Sequence, residues 1–229
     1  MNMVPTAFYS HADIEIYIGD AREILPHLPR GLTVTDPPYN LGYDYDVYQD
    51  NLGERAYQDL LQTCIVHPSV VIHYPEALFR LAISWGIPPE KVVAWVYNAN
   101  TPRQWRSIGW WGILPDFTLS GQPYKNPTDV RVRRLIENGN IARLYDWWHI
   151  DQVKNVSEEK TEHPCQIPLE VMKKILSITP NPALIIDPFM GSGTTLRAAK
   201  DLGRPAIGIE ISQDYAEQAV ARLSQERLM

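Results

Sequence analysis

The chain is poor in cysteine, in long apolar runs and in net positive charge, and each shortage removes a class of protein. Only Cys64 and Cys165 occur in 229 residues, far apart and in no CxxC pair. Neither a disulfide framework nor a zinc site is expected, and the chemistry considered below needs no metal. The apolar segments last only a few residues, well short of a membrane helix, so no contact with a bilayer is expected. The N-terminus, MNMVPTAFYSHADIEIYIGD, lacks a basic stretch followed by an apolar one and a small-residue cleavage site, which points to the cytoplasm. A net charge of −6 argues mildly against nucleic-acid binding, because phosphate contacts favour a basic surface. An enzyme needs that surface only where the polymer lies. The most basic stretch, Lys125 to Arg143, carries Arg131, Arg133 and Arg134, and reads equally as a solvated face or as a DNA contact.

What is present is an alternation of short β-branched segments with amphipathic ones, the pattern of βα units around a parallel sheet. Strands are expected at Ile14 to Ile18, Leu32 to Thr35, Val70 to His73, Val92 to Tyr97, Ala183 to Ile186 and Ala206 to Ile209. Helices are expected from Glu54 to Val66, Glu76 to Trp85, Pro168 to Ile178, Ser192 to Leu202 and Ser212 to Leu228. The alternation breaks between about Asp116 and Glu162, which reads as an insertion. Its tryptophans and tyrosines suit a core or an interface, and beside arginines they also suit nucleic acid. The length fits one globular domain with a small inserted subdomain.

Two strand ends carry chemistry. VTDPPYN, Val34 to Asn40, stands where a strand stops, and ligands of open α/β sheets bind beyond the carboxyl ends of strands. An exocyclic base amine is a poor nucleophile because its lone pair is delocalised into the ring. Two acceptors that engage its N–H groups offset the positive charge that develops on attack. Asp36 supplies a carboxylate and Pro37 a main-chain carbonyl, while Pro37 and Pro38 stiffen the turn. Tyr39 offers a flat face to a base taken out of the stack. A plain Asp-Pro-Pro turn is the structural alternative, and the second motif weighs against it.

That second motif is ALIIDPFMGSGTTLRAA, Ala183 to Ala199, a strand ending in Asp187 and a glycine turn that opens a helix. Gly191 and Gly193 permit close backbone approach, and Ser192 and Thr194 stand at the helix N-terminus with its unpaired N–H groups. A phosphate loop would need a lysine before the threonines and would suffer from Asp187, so a cationic nucleoside fits better. Glu210 closes the next strand, IGIEIS, at an interval from Asp187 that suits an acid taking ribose hydroxyls. Asp20, in YIGDAREILPHLP, reads either as a ligand for the cofactor adenine or as a helix cap.

Together, DPPY at Asp36 to Tyr39 and FMGSG at Phe189 to Gly193 resemble the amino-methyltransferases of DNA, and their order resembles the permuted beta group of that family. The resemblance spans nearly the whole chain except the insertion. It implies a Rossmann-like fold, a mostly parallel twisted sheet with helices on both faces, and direct methyl transfer from S-adenosylmethionine (SAM) to adenine N6 in double-stranded DNA. It further implies that Asp187 and Phe189 face the methionine and sulfonium, Glu210 the ribose and Asp20 the adenine, and that His163, Pro164 and Gln166 hold the methionine end. Asn40, Lys125, Arg131, Arg133 and Arg134 are then placed against DNA, and Leu41 to Asp50 resembles the mobile loop that closes over the target base. Residues 1–115 and 163–229 would form the catalytic domain and 116–162 a short target-recognition region, a brevity that implies a short or degenerate site, a homodimer that extends the contact, or partial loss of specificity. Three alternatives stay open: cytosine N4 methylation, an RNA substrate, and a SAM-binding protein without turnover. A partner restriction endonuclease has no signature in these residues.

Overall fold

A computed structural model of the chain describes residues 5–43, 45, 47–153, 166–180 and 184–225. His163, Pro164 and Cys165 lie outside them. The core is a nine-stranded sheet ordered β1-β2-β11-β10-β3-β4-β6-β5-β9. Its strands are β1 (Tyr9–His11), β2 (Ile14–Ile18), β3 (Leu32–Thr35), β4 (Ser69–His73), β5 (Lys91–Val96), β6 (Trp105–Trp111), β9 (Trp147–His149), β10 (Ile185–Asp187) and β11 (Ala206–Glu210). A small ribbon pairs β7 (Gly121–Gln122) with β8 (Ala142–Arg143). The helices are α1 (Ala21–Ile24), α2 (Glu54–Cys64), α3 (Pro75–Trp85), α4 (Val130–Glu137), α5 (Leu169–Ile178), α6 (Thr194–Asp201) and α7 (Gln213–Ser224).

Side-chain alternation decides which helices cover which face. Ile14 and Ile16 of β2, Leu32 and Val34 of β3 and Val70 and Ile72 of β4 share a core with Met172 and Ile175 of α5, Leu196 of α6 and Ala219 of α7. Val71, between the last pair, turns to the opposite face with Tyr57 and Leu61 of α2 and Leu81 of α3. Tyr17, Ile207 and Ile209 extend that second face beneath Ala21 and Ile24 of α1. The doubly covered, mostly parallel sheet is the fold expected. Glycine is required where a helix presses on the sheet: a Cβ on Gly208 of β11 would stand 2.4 Å from Met190 Sδ and 2.8 Å from Leu196 Cδ2.

The six strands and five helices read from periodicity are present, with ends displaced by a residue or two where described, except that α7 stops at Ser224, four residues before the expected end. The short strands β1, β7 and β8 and the helix α4 are additional, and two further differences bear on the site. β6 was not expected; it runs antiparallel to both β4 and β5 and separates them, with Val71 opposite Gly109 and Val93 opposite Ile108. The segment 116–162 is also not a separate unit throughout, because Trp147–His149 pairs in parallel with β5 and becomes the sheet edge. Trp95 explains this docking: its indole N–H donates to the Ile150 carbonyl at 2.7 Å, and Trp148 is buried beside it. No helix among the described residues is long and apolar enough to cross a membrane.

Candidate active site

The register of three strands gathers the motifs. β10 lies between β11 and β3, with Ile186 opposite both Ile207 and Thr33. The acid ends of β10 and β11 and the DPPY turn after β3 therefore emerge side by side. They open onto one cleft, lined by Gly19 and Asp20, by Asp36 to Tyr39, by Phe189 and Gly191, and by Glu210 to Ser212. Tyr215 of α7, Leu60 of α2 and the loop residues Tyr45, Val47 and Tyr48 complete its walls.

At one end Glu210 is nearly buried and accepts from Gly191 N and Ser212 N, both at 2.9 Å. Its carboxylate thus ties the glycine turn to the exit of β11. Burial pushes its pKa up to about 7, against the pull of those backbone donors. Gly191 and Gly193 have φ of 51° and 76°, and a Cβ on Gly193 would meet Ala219 Cβ at 2.8 Å, so glycine is required there twice over. Asp20 is the helix cap of one reading, and it also lines the cleft. Its carboxylate caps α1 through Arg22 N at 2.9 Å. The Arg22 side chain paired with it holds its pKa below the usual carboxylate range.

Asp187 lies beneath the cleft instead of in its wall. It is buried and accepts from Thr35 Oγ1 at 2.7 Å, Thr195 Oγ1 at 2.5 Å and Phe189 N at 3.1 Å. It therefore joins β3 to α6. Burial raises its pKa to about 6 despite these donors. Ser192, Gly193 and Thr194 are buried in the turn, and Thr194 Oγ1 accepts from Arg222 Nη1 at 2.7 Å. Gln166 is buried before α5 and is absent from the cleft wall.

At the other end Asp36 is largely shielded, and its Oδ1 accepts from the Tyr39 hydroxyl. The Tyr39 ring is folded inward, its centroid 4.8 Å from His73 and 5.1 Å from Tyr74, so the face expected to be offered to a base is in part already packed. The turn is braced from behind. Tyr74 N donates to His73 Nδ1 at 2.7 Å, which leaves the His73 proton on Nε2, 2.6 Å from the Tyr57 hydroxyl. That hydroxyl then donates to the Pro38 carbonyl at 2.7 Å. Burial pushes the His73 pKa down to about 3, which keeps this relay neutral. Burial also raises the Asp36 pKa to about 7, opposed by Arg106 and by the Tyr39 hydroxyl.

The residues assigned to DNA are dispersed. Asn40 is used in the loop after the turn: its Nδ2 donates to Leu52 O at 2.8 Å, and Asp50 accepts from its N at 2.7 Å and from Leu41 N at 2.9 Å. Arg131, Arg133 and Arg134 are exposed on α4, and Lys125 sits over Tyr145 and Trp147 at 4.7 and 5.0 Å. Sequence reasoning passed over His73, Tyr57 and Arg106. The last had a signal, a lone cation inside the apolar run WRSIGWW.

The model of a DNA methylase family, covering N6 and N4 enzymes, matches residues 73–221. The chain belongs to this family. The matched span begins at His73 and leaves the DPPY turn outside, but pairwise relatives extend further. The Type II methyltransferase M.ScaI of Streptomyces caespitosus is 28% identical over 96% of this chain and 84% of its own. The DNA adenine methyltransferase YhdJ of Escherichia coli is 25% identical over 96% and 85%. Among solved structures, this DNA methylase chain resembles the M1.HpyAVI–SAM complex with a TM-score of 0.61 and 26% identity, covering 93% of this chain and 100% of that one. It resembles the cytosine-N4-specific PvuII DNA methyltransferase with a TM-score of 0.68 at 17% identity, over 98% and 92% of the two chains, which shows a shared fold.

Proposed function

We propose that this DNA methylase transfers a methyl group from SAM to the N6 amino group of adenine in double-stranded DNA. One observation carries the proposal: the DPPY turn and the Gly191–Glu210 turn, distant in sequence, face each other across a single cleft because β3 and β10 are neighbours. Transfer without a covalent enzyme intermediate needs donor and acceptor within a few ångströms, and adjacent strand ends supply that proximity. Cys64 is no competing nucleophile, since burial pushes its thiol up to about 12.

The cleft fits the cofactor. Glu210 and Asp20 provide acceptors suited to ribose hydroxyls and an adenine amine, while Phe189, Ile211 and Tyr215 provide apolar walls for the rings. The absence of a lysine near the glycine turn and the acids around it favour a cationic nucleoside over a phosphate. When bound, SAM supplies an electrophilic methyl carbon on a positively charged sulfur.

The chain's own residues do the rest. Asp36 accepts one N–H of the target amine, taking it in place of the Tyr39 hydroxyl, and the Pro37 carbonyl accepts the other. The Pro38 carbonyl is already held by Tyr57, so this brace fixes the turn without occupying the Pro37 acceptor. As the new C–N bond forms, the methyl–sulfur bond breaks and its electron pair leaves with a then neutral thioether; positive charge passes to nitrogen, and the Asp36 carboxylate would offset it. A carboxylate whose proton affinity is raised toward pH 7 can then receive the surplus amine proton. Tyr45, Val47 and Tyr48 add aromatic and apolar wall to the cleft. Adenine is favoured over cytosine by aspartate at position 36, where cytosine enzymes of the family tend to carry serine, and by the likeness to YhdJ. The exposed arginines of α4 are proposed to meet DNA phosphates.

Asp36→Ala tests the assignment. Transfer should be abolished while SAM binds nearly as before; equal loss of both would remove Asp36 from the target-amine role.

A further inference from the structure

We propose that Arg106, remote from both sequence motifs, is a positioning residue for methyl transfer: its buried guanidinium keeps Asp36 ionised and packs the Tyr39 ring beside it. This inference rests on the assignment of Asp36 as the acceptor of the target amine.

Arg106 projects from β6, the strand that sequence reasoning did not expect, and is only 5% exposed. Its Nη1 lies 3.9 Å from Asp36 Oδ2. Its guanidinium carbon stands 4.7 Å from the centroid of Tyr39, 5.1 Å from Trp95, 5.6 Å from Tyr74 and 5.9 Å from Tyr97. Its Nε is buried with no hydrogen-bond partner among the described residues. A guanidinium removed from water without a matched ion pair is costly, and the compensation on view is one carboxylate and four ring faces. Two of these partners, Asp36 and Tyr39, belong to the DPPY turn, while Trp95, Tyr74 and Tyr97 wall the guanidinium from the other sides.

The groups around Asp36 act in opposing directions. Arg106 from β6 and the Tyr39 hydroxyl from its own turn favour the carboxylate, while burial and Asp187 from β10 favour the protonated form. Tyr57 of α2 and His73 of β4 are neutral near pH 7 and add no charge. Among the described residues Arg106 is therefore the cation that opposes burial, and at 3.9 Å it does so without a direct hydrogen bond to Oδ2. The electrostatic effect of the position differs from the packing effect, and substitutions separate the two. Methionine retains length and apolar contact without charge; lysine retains charge without the planar fork.

The test is the pH profile of kcat between pH 5.5 and 9, with unmethylated bacterial DNA and saturating SAM, for wild type, Arg106→Met and Arg106→Lys. Thermal melting and SAM affinity serve as controls. The wild-type acidic limb should centre near pH 7. In Arg106→Met it should move up by about one unit or more, cutting the rate roughly tenfold at pH 6.5 with little change at pH 9. Arg106→Lys should keep the midpoint within about half a unit of wild type. A folded, SAM-binding Arg106→Met whose rate is unchanged, or falls equally at every pH, would overturn the inference. If the methionine variant does not fold, Arg106→Lys decides alone, and an acidic limb displaced by about a full unit despite the retained charge would refute it. Asp36→Asn is measured alongside. An active Asp36→Asn enzyme contradicts the assignment of Asp36 itself, whereas an inactive one with an unshifted Arg106 profile contradicts only the role of Arg106.

Discussion

Glu210→Gln separates a cofactor ligand from a turn staple at the same residue. The carboxylate accepts two backbone N–H groups, from Gly191 and Ser212, both at 2.9 Å. Glutamine has a single amide oxygen, so one of those donors must face an NH₂ group and loses its partner. A hydrogen bond to a charged group contributes about 1.5–3 kcal/mol, and the stranded donor adds its own desolvation cost. For a chain of this size each kcal/mol moves the melting temperature by about 2–4 °C, so apo Glu210→Gln should melt about 4–10 °C lower. If Glu210 also takes the ribose hydroxyls, SAM affinity should fall by about 10- to 100-fold, since each tenfold step is 1.4 kcal/mol. Differential scanning fluorimetry reads the first effect and isothermal titration calorimetry the second. A variant that melts lower yet binds SAM within about twofold of wild type would show that Glu210 only staples the turn.

Other consequences follow from the same geometry. Thr35→Val removes one of the two hydroxyl donors to the buried Asp187 carboxylate and should cost about 1–3 kcal/mol, read as a melting shift of about 3–8 °C; an unshifted melt would deny that Asp187 ties the two strands. Asp36 and Glu210 have folded pKa values raised to about 7, so their contribution to stability is complete below about pH 4 and is lost as pH rises through 7. His73, pushed down to about 3, works the opposite way, but its contribution is complete above about pH 6.5. The apo protein should therefore melt lower at pH 8 than at pH 6.5, and a melting temperature that rises over that window would be inconsistent with burial of these carboxyls. Replacing Arg131, Arg133 and Arg134 with glutamine should weaken DNA binding and flatten the slope of log K against log salt by about two to three; an unaltered slope would return them to a solvated face.

Much of this arrangement was legible in the residues because the parallel strands are short, β-branched and closed by acids or turns. β3, β10 and β11 end where their chemistry begins, and the neighbouring placement of β3 and β10 follows from what methyl transfer requires. What escaped the sequence was placed there by pairing across the sheet. β6 contains a charged residue and a glycine among tryptophans, a pattern that alternates poorly, and only its two antiparallel neighbours make Arg106 a buried cation. Trp147 and Trp148 sit in a polar segment whose strand character depends on β5. The resemblance implies ligand-facing roles for Asp187 and Tyr39, and the hydrogen bonds to Thr35, Thr195 and Asp36 give each of them a structural task that the sequence did not announce. No local spacing announces such contacts.

The most direct test is to incubate the purified protein with SAM and unmethylated genomic DNA, digest to nucleosides and identify modified bases by mass spectrometry. N6-methyladenine is the expected product. N4-methylcytosine would contradict the choice of base, and no methylated amine from a folded protein that binds SAM would contradict the proposed activity itself.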